Sequence, residues 1–137
     1  MLTGIGFMSL AAALLLFAPR TIILLYLDPD LPANAALVAL TIRYMTVAAA
    51  FQLFDGAQTV GAGLLRGVQD TRVPMGIALF GYWIPGLGTA IWLGLYTPLG
   101  GLGVWFGLLI GLAVVAALLM WRWSRREALG LLVFKAP

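Results

Sequence analysis

Cysteine and histidine are both absent from the 137 residues, and with them go disulfide frameworks, thiol nucleophiles, imidazole bases and Cys/His zinc sites. Charge is nearly as scarce. Only 9% of the chain is charged against 63% apolar, whereas a soluble domain carries about a quarter charged residues. A chain this poor in polar side chains cannot cover a globule with them, and it reads as an all-α integral membrane protein. The formal net charge of +3 matters chiefly through where the charges fall, and it disfavours a nucleic-acid surface.

What the chain does contain is length without charge, and about twenty apolar residues suffice to cross a bilayer core. Met1 to Pro19 is uncharged, and with Arg20 tolerated near its outer end the apolar run continues to Leu27. Tyr44 to Leu65, between Arg43 and Arg66, holds one charge, Asp55, and Val73 to Trp121 holds none. The last stretch is long enough to cross twice and divides at the turn-forming Thr97-Pro98-Leu99-Gly100-Gly101. Four transmembrane helices are therefore predicted, over about 2–27, 38–65, 74–96 and 101–121, in a membrane domain of residues 1–123 followed by a cytoplasmic tail, 124–137. Ala11-Ala12-Ala13 could imitate a signal-peptide cleavage site, but no Lys or Arg precedes Arg20 to make the positive leader such peptides need. A first span that starts without a flanking anchor reads as the interior of a longer protein.

Orientation follows from the basic residues. With four spans, the second connection lies on the same side as both termini, and that side carries Arg66, Arg72, Arg122, Arg125, Arg126 and Lys135, against Arg20 and Arg43 on the other. Six against two places both termini in the cytoplasm. Tyr26, Trp92 and Tyr96 then fall at the outer interface, and Trp121 and Trp123 at the inner one.

Gly103, Gly107 and Gly111 recur every fourth residue of the fourth span, opening a groove for close approach of another helix backbone. Gly63 and Gly67 repeat the spacing once. Pro85, mid-way along the third span, removes a backbone hydrogen bond and kinks the helix. The kink is either a static packing feature or a hinge with a carbonyl freed toward a cavity.

Asp55 stands twelve positions after Arg43 and eleven before Arg66, roughly 16 to 18 Å from each interface. A charge that deep costs on the order of 3 kcal/mol, so it should face protein or water and is a functional candidate. Gln52, Asp55 and Thr59 share one helical stripe bordered by Gln58, and such a stripe can line a cavity. Tyr82 is a further candidate for that lining. Structural glue, with a neutral Asp55 bonded to a neighbouring helix, is the alternative.

At these residues the sequence resembles a known family. Phe51-Gln52-Leu53-Phe54-Asp55-Gly56-Ala57-Gln58, Gly63-Leu64-Leu65-Arg66-Gly67 and Asp70-Thr71-Arg72-Val73-Pro74 resemble the tenth-helix region of multidrug and toxic compound extrusion (MATE) transporters of the NorM type. Tyr82-Trp83, Gly86-Leu87, Gly101-Leu102-Gly103-Val104-Trp105 and Gly107-Leu108 resemble the family's last two helices in order and spacing. The resemblance implies the last four of twelve helices, the end of the C-terminal six-helix lobe, in the bacterial inner membrane. It implies antiport of lipophilic organic cations and drugs against sodium or protons, with Asp55 as the coupling-cation carboxylate and the Na+ ligand if sodium is used. No other cofactor is implied. The partners are the lipid bilayer, the organic-cation substrates and the N-terminal helices of the same transporter. A self-associating four-helix efflux subunit and a non-transporting membrane assembly subunit are the alternatives. An intramembrane enzyme is disfavoured, because one deep acid leaves an acid/base pair unfilled.

Overall fold

The structure, a computed structural model, describes residues 2–132; Lys135, counted above among the cytoplasmic basic residues, and the end of the tail lie outside the described residues. Every regular element among the described residues is helical. Pro32–Gly67, Arg72–Tyr96 and Gly101–Ser124 are each long and apolar enough to cross a bilayer, and a shorter apolar helix covers Gly6–Phe17. The protein is an all-α membrane protein. It divides into two compact units, Met1–Leu53 and Phe54–Pro137.

In the first unit, α1 (Leu2–Phe17) stops at Ala18, whose backbone leaves the helical region at φ −126° and ψ 37°. The next residue explains the stop. Pro19 clashes with a helical conformation at the residue before it but suits the first position of a new helix, and α2 (Pro19–Ile23) begins there. The apolar segment 2–27 thus holds a 16-residue helix and a five-residue one. In the acidic connection the Asp30 N–H donates to Asp28 Oδ1 at 3.0 Å, and Asn34 Nδ2 donates to the Asp28 carbonyl at 2.8 Å. That turn leads through a short 3-10 helix, Pro32–Asn34, into α3 (Ala35–Gly67). Ala12, Ile23, Val38, Val47 and Ala49 are buried in this unit. A mostly apolar cavity of about 350 Å³ lies among Ile22, Ile23, Tyr26, Leu27, Leu37, Thr41 and Met45.

The second unit takes up α3 at Phe54. The helix ends after Gly67 in a cap where the Gln69 N–H donates to the Arg66 carbonyl and the Asp70 N–H to the Leu65 carbonyl, both at 2.9 Å. This six-residue closure needs a left-handed residue, usually glycine, and here Gln69 takes it at φ 62°. The third span is continuous: α4 (Arg72–Gly81), a π-helical turn (Tyr82–Leu87) and α5 (Gly88–Tyr96). A π turn pairs a carbonyl with the N–H five residues on, so a proline four residues on removes no bond that the register needs. Pro85 stands four after Gly81, and Gly86 five. The sequence's kink is therefore an inserted residue accommodated in the turn, and the Thr89 hydroxyl donates to the Pro85 carbonyl.

The turn also sets the packing against α6 (Gly101–Ser124). A methyl group built at Gly103 would strike the Leu93 carbonyl, and one at Gly107 the Ala90 backbone; one at Gly111 would lie 2.5 Å from Gly86 Cα and 2.9 Å from the Gly81 carbonyl oxygen. Antiparallel to these three glycines runs a row of small residues, Gly94, Ala90, Gly86 and Gly81. Its last interval is five rather than four, and in an α-helix that interval would swing Gly81 about 140° away from Gly86. The extra residue of the π turn keeps both against Gly111. By contrast, a methyl group at Gly63 or Gly67 would meet nothing within 4 Å.

Leu65, Val115 and Leu119 form the core, with Ala62, Ile77, Ala78, Trp123 and Leu131 packed around it. Leu131 comes from the stretch expected to be a cytoplasmic tail. It is returned by a second six-residue closure, in which the Leu131 N–H donates to the Arg126 carbonyl at 2.9 Å and Gly130 takes the left-handed position at φ 67°.

Candidate functional site

Of the four polar residues expected to share a face of α3, three belong to the second unit. Asp55 and Gln58 are half-buried and Thr59 is exposed. The Tyr82 hydroxyl, at the first position of the π turn, donates to Gln58 Oε1 at 2.5 Å, and it lies within electrostatic reach of the Asp55 carboxylate. Asp55, Gln58 and Tyr82 thus form a polar cluster in an otherwise apolar bundle. Gln52 is engaged elsewhere: in the first unit its Nε2 donates to Met8 Sδ on α1 at 3.0 Å.

Helical spacing explains the cluster. Gln58 follows Asp55 by three positions, under one turn, so the two side chains leave α3 on neighbouring sides. Among the described residues no three of Asp, Glu, His or Cys gather in one place. A cation at Asp55 would therefore draw on neutral oxygens as well as on the carboxylate.

A second polar contact is not legible in any single motif. Arg122 Nε, near the end of α6, donates to Asp70 Oδ2 at 2.6 Å, the side chains being only 16% and 9% exposed. Asp70 directly follows the strained Gln69, so the left-handed cap that ends α3 also aims the carboxylate. Removing one partner of this part-buried pair strands the other charge, at a cost of about 1–3 kcal/mol. The signal available in the sequence was topological: an acid in a basic connection, on the side of the bilayer where the fourth span ends with arginines. Beside it the Arg126 guanidinium lies over the Trp123 ring at 4.8 Å and that of Arg125 over Trp121 at 5.7 Å, contacts suited to the interface.

Comparison with known proteins places this architecture. The MatE family profile matches residues 1–92. The chain is 52% identical over 125 residues to the multidrug resistance protein NorM of Burkholderia vietnamiensis, covering 91% of this chain and 27% of that protein. It is 47% identical over 124 residues to a probable multidrug resistance protein NorM of Mesorhizobium japonicum, with 90% and 27% covered. To the probable NorM of Deinococcus radiodurans it is 41% identical over 133 residues, with 94% and 30% covered. The chain spans a little over a quarter of the length of these relatives. On the strength of the profile match and of these similarities, the chain belongs to the MatE family.

Proposed function

We propose that this chain is the C-terminal portion of a multidrug efflux antiporter of the bacterial inner membrane, exporting lipophilic organic cations in exchange for sodium or protons. One observation carries the reading: a half-buried carboxylate, Asp55, in the middle of a membrane-length helix, beside the Gln58–Tyr82 pair. An ionisable group is kept at such a depth against its insertion cost where it serves an ion or substrate path. The family membership and the names of the relatives support the same reading.

The mechanism is exchange at a midplane carboxylate. Cation at Asp55 favours one conformation and organic cation favours the other, so that uptake of one drives release of the other through their differential affinity for the two states. In vesicles carrying a full-length transporter that contains this segment, an imposed inward sodium or proton gradient is expected to drive efflux of ethidium, a fluorescent lipophilic cation. Efflux that ignores both gradients overturns the antiport reading. Substrate accumulation by vesicles holding only these 137 residues would favour a self-associating small subunit instead.

The proposed topology has both ends of the segment in the cytoplasm. Single cysteines at Thr71 and Pro98, both exposed, are expected to label from opposite faces, Thr71 from the cytoplasm and Pro98 from outside. The segment itself has no cysteine to confuse the assay. Labelling of both from one face would eliminate this arrangement.

A further inference from the structure

The hydrogen bond from the Tyr82 hydroxyl to Gln58 Oε1 ties the third span to α3 one turn from Asp55. Its geometry depends on the π turn. Tyr82 opens that turn, and a residue inserted into a helix rotates everything before it by about 100° relative to everything after it. The same turn that accommodates Pro85 and seats Gly86 on Gly111 therefore fixes where the Tyr82 ring stands. π turns are rare and recur at functional sites.

Gln58 has two partners within its chemistry. Along its own helix, three positions back, is Asp55, and glutamine amides bond to carboxylates at that spacing. Across the bundle is Tyr82, whose hydroxyl donates to the amide oxygen and so fixes which way the amide is turned. Resting on the reading of Asp55 as the coupling-cation carboxylate, we propose that Tyr82 is a positioning residue that holds Gln58 off Asp55, leaving the carboxylate open to the cation. Without the Tyr82 hydroxyl, the Gln58 amide turns to Asp55 and its N–H groups compete with the ion for the same oxygens.

The test is ethidium efflux by the full-length transporter containing this segment, with sodium chloride varied at fixed pH and pH varied without sodium. Tyr82→Phe keeps the ring and its packing but loses the hydroxyl. It is expected to raise the half-saturating concentration of the coupling cation roughly fivefold, the factor that one neutral hydrogen bond is worth, with the maximal rate preserved. Adding Gln58→Leu to Tyr82→Phe should bring that concentration back to the level of Gln58→Leu by itself, because leucine cannot occupy the carboxylate. A purely structural role for Tyr82 predicts no such rescue. An unshifted half-saturation in Tyr82→Phe, or a double variant as impaired as Tyr82→Phe alone, overturns the proposal. Asp55→Asn separates it from the reading beneath it. Gradient-driven efflux that persists in Asp55→Asn defeats the role of Asp55, whereas loss of efflux there with an unshifted Tyr82→Phe defeats only the role of Tyr82.

Discussion

Asp55→Asn is expected to abolish gradient-driven efflux in the full-length transporter while membrane insertion and expression persist. Asparagine keeps the size of the side chain and its ability to hydrogen-bond, but it carries no charge for sodium and no proton to exchange. With neither a charge nor a titratable proton at the site, coupling is lost, and gradient-driven efflux is expected to fall by at least about tenfold, the margin of charge-assisted over neutral contacts. A carboxyl that merely glued helices together could be replaced by the amide, so near-normal ethidium efflux by the Asn variant would remove Asp55 from the mechanism. Gln52→Ala serves as a comparison from the same helix. Its side chain donates to Met8, and its loss is expected to alter affinity or packing without uncoupling transport.

Gly107→Leu is expected to cause the largest loss of stability. A side chain at Gly107 would collide with backbone atoms of Ala90, and backbone cannot rotate aside as a side-chain tip does. Within a bilayer, helices associate through close packing rather than through exclusion of water, so separating α5 from α6 removes the main attraction between them. Overpacking costs typically 1–3 kcal/mol, and a backbone collision should lie at or above the top of that range. Thermal unfolding in detergent should show a large drop for Gly107→Leu. Gly88→Ala, where an added methyl meets nothing within 4 Å, and Leu108→Ala, at a residue 39% exposed, should unfold close to the parent. Equal midpoints for Gly107→Leu and Gly88→Ala would show that the glycine row is incidental.

The membrane class and three long helices follow from composition and uncharged length alone, since hydrocarbon admits no unpaired backbone and leaves helix as the solution for an apolar run. The spacing of Gly103, Gly107 and Gly111 marked the close-packed face of α6, because three small residues on one stripe open a groove along two turns, whereas the single pair Gly63 and Gly67 meets no neighbour. Asp55 was legible because a lone acid in an uncharged run contradicts its surroundings.

Partners were not legible. Gln52, Asp55 and Thr59 share a register on α3, but register says only which way a side chain leaves the helix; the tertiary structure gave Gln52 to Met8 and Gln58 to Tyr82. The pairing of Arg122 with Asp70 joins residues 52 positions apart, and which arginine of the basic cluster would take the acid depended on the left-handed cap at Gln69 and on the rotation of α6. Pro85 announced a distortion without its form. Whether the helix kinks open or absorbs one residue depends on what lies opposite, and here the glycines of α6 admit a backbone so close that only the π turn keeps Gly81 and Gly86 both facing Gly111. Helix class, the three long helices and the small-residue face were thus set by the sequence, because they depend on the chain and its solvent. Cap geometry, the π register and the choice of polar partners were decided by packing, because each depends on atoms brought together from distant parts of the chain.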